Sequence, residues 1–206
     1  MAPPLPRVPL DESAAPADPH VLFERWYDDA VVAGLALPNA MTLATVGAEG
    51  QPAARMVLLK GVEDGDFVFY TNYESRKGRE LTARPYAALV FHWAPLERQV
   101  SIEGSVERVS EESSTVYFAT RPLGSRYSAM ASPQSSVIPD RAWLEEEAAA
   151  VARRHGESIP RPPHWGGYRV RPAMIEFWQG RSDRLHDRLS YRRRDDGTWL
   201  MERLAP

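Results

Sequence analysis

The sequence predicts an α+β protein, mainly β, in which antiparallel strands close into a small barrel with flanking helices. From residue 41 onward, short runs rich in β-forming residues are separated by glycine-containing turns at residues 47–50 and 63–65. Strands this close together must pair as antiparallel hairpins, because a parallel crossover needs about a dozen or more residues. About six or more such strands with a few helices are typical of a closed barrel.

The helices are predicted from capping residues and apolar periodicity. Asp18 can cap a first helix whose apolar stripe ends near Gly34, and Ser75 can cap a short helix that ends before Pro85. Two more helices are predicted over residues 111–120 and 140–155.

The strands are predicted from runs of β-forming residues and their alternation. Within residues 99–109, Val100, Ile102 and Val106 alternate with polar residues, so one face of that strand is expected to be buried. The predicted strands are residues 41–46, 53–60, 67–71, 87–93, 99–109, 167–170, 174–178, 184–193 and 199–204.

Composition and charge limit the classes of function. The 206 residues fit one domain, predicted over residues 18–206, after a proline-rich segment, residues 1–17, that is predicted to be disordered or loosely packed. A formal net charge of -3 argues against a general nucleic-acid binder. The chain has no cysteine, which excludes disulfides and cysteine nucleophiles, and its five histidines lack the spacing of metal ligands, so no metal site is predicted.

Nothing in the sequence predicts an association with a membrane. No apolar run approaches the roughly 20 residues that span a bilayer. The N-terminal residues contain no apolar signal core, so the expected location is the cytoplasm.

Basic residues lie at both ends of one predicted strand and at the start of the second predicted helix. Arg55 and Lys60 flank an apolar strand, while Arg76 and Lys77 directly follow the cap at Ser75. A helix N-terminus offers free backbone N–H groups and a partial positive charge, so this arrangement favours a bound phosphate. A solvated turn with scattered surface charges is the alternative interpretation.

Two further groups of side chains indicate bound anions. Tyr117 and Arg121 lie four residues apart, so they share a helix face and can hold one anion together. A surface arginine stacked on a tyrosine is the alternative. Arg184, His186 and Arg188 alternate along a predicted strand, and like charges so placed repel unless an anion lies among them. Here the alternative is a solvated edge strand.

From about Asp18 to the C-terminus, the chain resembles the pyridoxamine 5'-phosphate oxidase family. The motifs that carry the resemblance are residues 55–60, 70–72, 75–77, 96–100, 134–136, 165–167, 175–180, 184–188 and 203–206, in the family's order. The resemblance implies an FMN-binding split barrel, an antiparallel Greek-key-like barrel. It also implies a homodimer with FMN in each of two clefts at the subunit interface.

The resemblance further implies a set of site residues. One subunit would hold FMN through Arg55, Met56, Val57, Leu58, Leu59, Lys60, Tyr70, Thr71, Arg76, Lys77 and Gln99. The other subunit would add Gln134, Ser135, Trp178 and Arg188. The substrate phosphate would be bound by Lys60, Tyr117, Arg121 and Ser125, and the catalytic pair Arg184 and His186 would flank the pyridine ring.

The implied reaction is the oxidation of pyridoxamine or pyridoxine 5'-phosphate to pyridoxal 5'-phosphate. A hydride would pass to the flavin, and O₂ would reoxidise the flavin to give H₂O₂. Lys60 would stabilise negative charge that arises during the reaction. His186 would steer the substrate proton, because a histidine has a near-neutral pKa.

Two departures from the family pattern leave alternatives open. Residues 1–17 lack the segment that folds over the substrate in many members, and Met130 stands where many members have tryptophan. One alternative is a related split-barrel flavin oxidase acting on a dihydrophenazine-type intermediate. The other is a flavin-binding protein without turnover. The phosphate-binding set favours the phosphorylated substrate, and the catalytic pair counts against a protein without turnover.

Overall fold

Nine strands in one curled antiparallel sheet and five flanking α-helices make up the fold in the computed structural model, which describes residues 9–206. The helices are α1 (Pro19–Val32), α2 (Arg76–Ala83), α3 (Glu111–Thr120), α4 (Leu123–Ala131) and α5 (Arg141–His155). The strands are β1 (Ala40–Val46), β2 (Pro52–Leu58), β3 (Gly61–Glu63), β4 (Asp66–Asn72), β5 (Tyr86–Trp93), β6 (Arg98–Arg108), β7 (Trp165–Gln179), β8 (Asp187–Arg193) and β9 (Trp199–Arg203). Short 3-10 turns lie at Ala94–Leu96 and Ser182–Arg184.

The sheet curls until its two outermost strands meet. The strand order is β2-β1-β5-β6-β7-β4-β3, and β8 and β9 extend from β7. Only Leu59 and Lys60 separate the edge strands β2 and β3. The Leu59 N–H donates to Asn39 O at 2.9 Å, while the Lys60 N–H donates to Val68 O of β4 at 2.8 Å. This connection closes the barrel, and the predicted α+β antiparallel barrel with flanking helices is confirmed.

The core lies inside the curled sheet and is closed by α1. Phe23 of α1 packs edge-on against Phe67 and Phe91, with ring centroids 5.0 and 5.1 Å away, and Trp26 packs against Phe177 at 5.3 Å. Such edge-to-face aromatic pairs add stabilisation beyond the area that they bury. The predicted alternation in β6 is confirmed, because every second residue from Arg98 to Val106 is buried.

Most predicted elements are present, but some elements were not predicted and some predicted bounds differ. Helix α4 and the short strand β3 were not predicted. The two strands predicted at residues 167–170 and 174–178 are one strand, β7, of 15 residues. It continues through Pro172 because the pairing with β6 shifts at a β-bulge next to Gly104, where the proline lies opposite the glycine.

The strand predicted at residues 184–193 is wrong at its start. It begins at Asp187, and the preceding residues form a turn in which Asp183 and Arg184 have φ values of 56° and 61°. Arg184 and His186 therefore do not alternate with Arg188 along one strand face. Positive φ values in residues other than glycine are uncommon and leave no sequence pattern from which the turn could be predicted.

Residues 9–17 contact the C-terminal strands, which the prediction of a loosely packed segment did not anticipate. Leu10 is buried, its N–H donates to Asp187 Oδ2 at 3.3 Å, and the Tyr191 hydroxyl donates to Pro16 O at 2.9 Å. Residues 1–8 lie outside the described residues. The division into a terminal segment (1–17) and one domain (18–206) stays a prediction. Among residues 9–206, no helix combines the length and the apolar character that crossing a bilayer requires.

We expect Gly104→Ala to destabilise the protein strongly, because a Cβ at this position would lie 1.9 Å from Arg171 O at the β6–β7 bulge. Overpacking of this kind should lower the free energy of unfolding by roughly 2–4 kcal/mol in urea denaturation. Gly124→Ala is the matched control, since a Cβ added at this position on helix α4 would meet no atom within 4 Å. It should be neutral or stabilising by up to about 1 kcal/mol. Equal stabilities of the two variants would contradict the bulge geometry.

Candidate active site

A cavity of about 510 Å³ opens beside the connection that closes the barrel, between strands β2 and β4 and helices α3 and α4. We call it the cationic cavity. Its lining residues are Met56, Val57, Leu58, Lys60, Tyr70, Thr71, Lys77, Tyr117, Thr120, Arg121, Pro122, Ser125, Gln134 and Trp165. All but Thr120, Pro122 and Trp165 are predicted site residues. The lining contains three cations and no carboxylate.

Three nearly parallel aromatic rings form one wall of the cavity. The Tyr70 and Tyr117 rings stack with centroids 3.9 Å apart, and Trp165 lies 5.6 Å from Tyr70 and 6.2 Å from Tyr117. Burial, with a smaller effect of Glu63, raises the pKa of the Tyr70 hydroxyl to about 12. The hydroxyl therefore stays protonated at neutral pH and can donate a hydrogen bond to a ligand.

Gly167 allows the first ring of this wall to lie against the sheet. It pairs with Tyr70 across β7 and β4, and a Cβ at this position would lie 2.8 Å from the Tyr70 ring. Its N–H donates to the buried Ser114 hydroxyl at 3.2 Å, which fixes α3, and so Tyr117, against β7. Residues 165–167 form one of the family motifs, but Trp165 is not among the predicted site residues. Its place next to paired glycines is the signal that could have identified it.

Arg121 is a partly buried cation that forms no ion pair within residues 9–206. It ends α3 as the C-cap, where its extended backbone directs the chain away from the helix, and its guanidinium lies 4.5 Å from the centre of the Trp165 ring. Its Nη1 atom is buried and has no hydrogen-bond partner among the described residues. Burial lowers the pKa of Arg121. A guanidinium in this position gains more from an anion than an exposed one would, because water does not stabilise its charge.

Among the described residues, the hydrogen-bond acceptors of the Lys77 ammonium are all neutral. Its Nζ donates to Gln134 Oε1 at 2.7 Å and to the hydroxyl oxygens of Thr71 and Ser75 at 3.2 Å each. Ser75 also caps α2 by accepting the Gly78 N–H, which holds Lys77 in the first turn of that helix. Burial, together with the charge of Arg55, lowers the pKa of Lys77 to about 8.

Some of the predicted FMN-binding residues lie next to the cavity and do not line it. Arg55 and Arg76 both bind the carboxylate of Glu80, at 2.9 and 2.8 Å. The Leu59 side chain belongs to the hydrophobic core, and its backbone N–H and C=O are both hydrogen-bonded to Asn39, so Leu59 does not line the cavity. Ser135 is exposed in the turn after α4, with φ of 74°.

A second set of predicted residues lies on the outer face of the sheet and does not line the cationic cavity. Gln99, Trp178 and Arg188 are consecutive cross-strand partners on β6, β7 and β8. The His186 ring lies 4.6 Å from the Trp178 ring. We call these four residues the outer-face group. Their strand neighbours Val100, Phe177 and Leu189 are buried, which places the group on the side away from the core.

The catalytic pair of the prediction lies at one end of this group. Arg184 is exposed in the turn that precedes His186. The backbone N–H of Arg181 donates to His186 Nδ1 at 3.1 Å, so Nδ1 is the acceptor and a neutral imidazole carries its proton on Nε2. Arg188 makes a two-point ion pair with Glu176 at 2.8 and 3.0 Å.

Within one chain, Gln134 and Gln99 have different neighbours from those in the predicted sets. Gln134, expected with Trp178 and Arg188, contacts Lys77 in the cationic cavity of the same chain. Gln99, expected with Lys77, lies in the cross-strand row with Trp178 and Arg188. A hydrogen bond between distant segments places Gln134 beside Lys77. The register of the sheet places Gln99 beside Trp178.

Two models of known protein families match most of this chain. Residues 27–155 match the family model described as pyridoxamine 5'-phosphate oxidase. Residues 165–206 match the model described as the C-terminal dimerisation region of pyridoxine 5'-phosphate oxidase. A relative from Burkholderia multivorans, named pyridoxine/pyridoxamine 5'-phosphate oxidase, is 58% identical over 97% of this chain and 94% of its own. One of the same name from Cupriavidus necator is 57% identical over 96% and 93%.

Two solved structures are also similar. PhzG from Burkholderia lata, in complex with tetrahydrophenazine-1-carboxylic acid, superposes with a TM-score of 0.92 at 33% identity, over 99% of this chain and 100% of that chain. A pyridoxamine 5'-phosphate oxidase-related, FMN-binding protein from Nostoc punctiforme has a TM-score of 0.72 at 18% identity, over 94% and 99%. The second likeness supports the fold alone.

We expect the Lys77 ammonium to titrate with a pKa of about 8 in the ligand-free protein. Following the ¹³Cε chemical shift of Lys77 with pH would measure this, with the signal assigned by its loss in Lys77→Arg. Inorganic phosphate should move the midpoint upward, because a nearby anion stabilises the charged form. A midpoint at the ordinary lysine value of 10.5 would contradict the burial of this side chain.

Proposed function

The chain belongs to the pyridoxamine 5'-phosphate oxidase family, and on that premise we propose that it is a cytoplasmic FMN-dependent oxidase of pyridoxamine or pyridoxine 5'-phosphate. The products would be pyridoxal 5'-phosphate and H₂O₂, with O₂ as the electron acceptor. The supporting observation is the cationic cavity, where Lys60, Lys77 and Arg121 gather without a lining carboxylate. Lys77 and Arg121 are partly buried and form no ion pair within residues 9–206, so the cavity favours anionic ligands.

FMN is the cofactor of this family, and the residues present fit it. Lys77 lies in the first turn of α2, beside Arg55 and Arg76, where cations and free backbone N–H groups suit the FMN phosphate. Thr71 and Gln134 add hydrogen-bonding groups next to Lys77. The edge strand β2 offers an apolar lining for a planar ring through residues 56–58. When bound, FMN supplies the hydride acceptor and the centre that O₂ reoxidises.

The substrate phosphate fits the other end of the cavity. Arg121, Tyr117 and Ser125 present a guanidinium and two hydroxyls from α3, its C-cap and α4. Lys60 reaches the same region, with its Nζ 6.0 Å from the centre of the Tyr117 ring. A phosphate held by these groups would fix the substrate next to the cofactor, which removes translational freedom before the reaction.

We propose a homodimer in which the outer-face group of one copy completes the cationic cavity of the other. In one chain the two sets of residues lie on different surfaces, and the matched dimerisation region covers β7 to β9, which carry Trp178 and Arg188. The outer face of β2 is apolar and exposed, at 62% for Met56 and 36% for Leu58. Exposed apolar residues next to functional groups mark interaction surfaces.

In such a dimer, Arg184 and His186 would face the pyridine ring of the substrate. Arg184 provides a positive charge that binds the ring hydroxyl or holds it ionised. His186 accepts the Arg181 N–H through Nδ1, so the proton of its neutral ring lies on Nε2. That N–H would be the group that donates to the substrate.

A second candidate function is the oxidation of a dihydrophenazine-type acid. It is favoured by the likeness to PhzG, which extends over nearly the whole of both chains. Against it stands the combination of Tyr117, Arg121 and Ser125 in one cavity. A tricyclic acid with a single carboxylate would not need this set in addition to Lys60. A third candidate, flavin binding without turnover, is disfavoured by the presence of Arg184 and His186.

The proposal is tested by measuring H₂O₂ release by the FMN-loaded protein with pyridoxine 5'-phosphate, pyridoxamine 5'-phosphate and a dihydrophenazine carboxylic acid. We expect turnover of the phosphates, and Arg121→Gln should lower their kcat/KM about 30- to 100-fold through loss of a charged hydrogen bond. Arg141→Gln, an exposed arginine on α5 paired with Glu145, is the matched control and should have no effect.

Faster turnover of the dihydrophenazine acid would favour the second candidate. A yellow protein that oxidises none of the three compounds would favour the third.

A further inference from the structure

A buried carboxylate lies behind the cationic cavity and joins three elements of the fold. Glu80, on α2, is 8% exposed and does not line the cavity. Its Oε1 accepts a hydrogen bond from Arg76 Nε at 2.8 Å. Its Oε2 accepts from Arg55 Nη2 of β2 at 2.9 Å and from the Thr45 hydroxyl of β1 at 2.5 Å. Oε1 of Glu80 is therefore bound within α2, and Oε2 is bound by groups from two strands of the sheet.

Arg55 makes further hydrogen bonds in addition to its ion pair with Glu80. Its Nη1 donates to the Thr45 hydroxyl oxygen and to Leu43 O, at 3.3 Å for the latter, and its side chain is 20% exposed. The guanidinium thus has fixed partners on one side and remains near enough to Lys77 to lower its pKa. Arg76 is more exposed, at 59%, and its contact with Glu80 restricts it on the helix surface.

Glu80 is ionised at neutral pH. Burial acts to raise its pKa, but the hydrogen bonds from Thr45, Arg76 and Arg55 outweigh burial, and the net shift is downward. The carboxylate therefore offsets part of the repulsion among Arg55, Arg76 and Lys77, which would otherwise drive these three cations apart.

We propose that Glu80 is a positioning residue, which holds Arg55 and Arg76 beside Lys77 so that the phosphate of FMN meets cations that are already in place. The inference rests on the proposed function. Long arginine side chains lose conformational freedom when they bind an anion, and ordering them in advance reduces that loss. Glu80 is not itself a ligand, since a carboxylate repels phosphate and both of its oxygens are occupied.

The competing explanation is that Glu80 only joins α2 to the sheet. The two explanations differ in what they predict for riboflavin, which has the same ring system as FMN but no phosphate. A positioning role acts through the arginines on the phosphate and changes FMN binding alone. A role in joining α2 to the sheet would change the binding of both flavins, because the whole cavity would be distorted.

The experiment is a fluorescence titration of the cofactor-free protein with FMN and with riboflavin. Glu80→Gln keeps the size of the side chain, but it replaces one of the two acceptor oxygens by an NH₂ group, so one of the two arginines loses its acceptor. We expect its Kd for FMN to rise about tenfold or more, and its Kd for riboflavin to stay within about twofold of wild type. Thr45→Val removes the hydroxyl that anchors both Glu80 and Arg55, and should weaken FMN binding selectively but less.

Glu74→Gln is the matched control. It removes an exposed negative charge two residues before α2, and its carboxylate pairs with neither arginine in residues 9–206. Its Kd for FMN should not rise. Equal losses of FMN and riboflavin binding in Glu80→Gln, or an unchanged Kd for FMN, would overturn the positioning role. If the wild-type protein bound riboflavin as tightly as FMN, the proposed use of FMN would be wrong and this inference with it.

Discussion

Positive charge without an internal counter-charge is the constraint on which the site depends. Lys60, Lys77 and Arg121 line a cavity that has no carboxylate, and Arg121 has a buried nitrogen without a hydrogen-bond partner among the described residues. The partial burial of Lys77 and Arg121 is unfavourable in the free protein, because no charged partner within residues 9–206 repays their desolvation. The fold maintains the arrangement through rigid elements: the cap at Ser75, the end of α3 and the aromatic wall ending at Trp165. An anionic ligand would relieve this strain.

The outer-face group lies on or next to strands of the same sheet but does not line the cavity. Gln99, Trp178 and Arg188 form a row across three neighbouring strands because the register of β6, β7 and β8 aligns them. If a second copy of the chain places its own row of these residues at the cavity, no conformational change within one chain is needed to bring the two sets together. The chain is similar both to pyridoxine/pyridoxamine 5'-phosphate oxidases and to PhzG. Because proteins of different name share this barrel, the function must be argued from the side chains of the site and not from the fold.

Sequence alone predicted the barrel, four of the five helices and most of the cavity lining, because these features have local signals such as alternation, capping and family motifs. Helix α4 was missed since it follows Pro122, contains small residues and buries none of them, so it has no clear apolar stripe. The turn at Arg184 was missed because its positive φ leaves no pattern. The positions of Gln134 and Gln99 depend on contacts between distant segments. Glu80 resembles an ordinary helix-surface carboxylate until its two arginines are seen.

Subunit complementation tests most directly whether each active site combines the cavity of one copy with the outer-face group and Arg184 of another. Arg121→Gln and Arg184→Ala chains carrying different affinity tags are combined, and the mixed dimers are isolated. Each parent should be nearly inactive, while mixed dimers should regain about half of the wild-type oxidase activity, because one of their two sites is intact. Mixed dimers no more active than the parents would contradict the account.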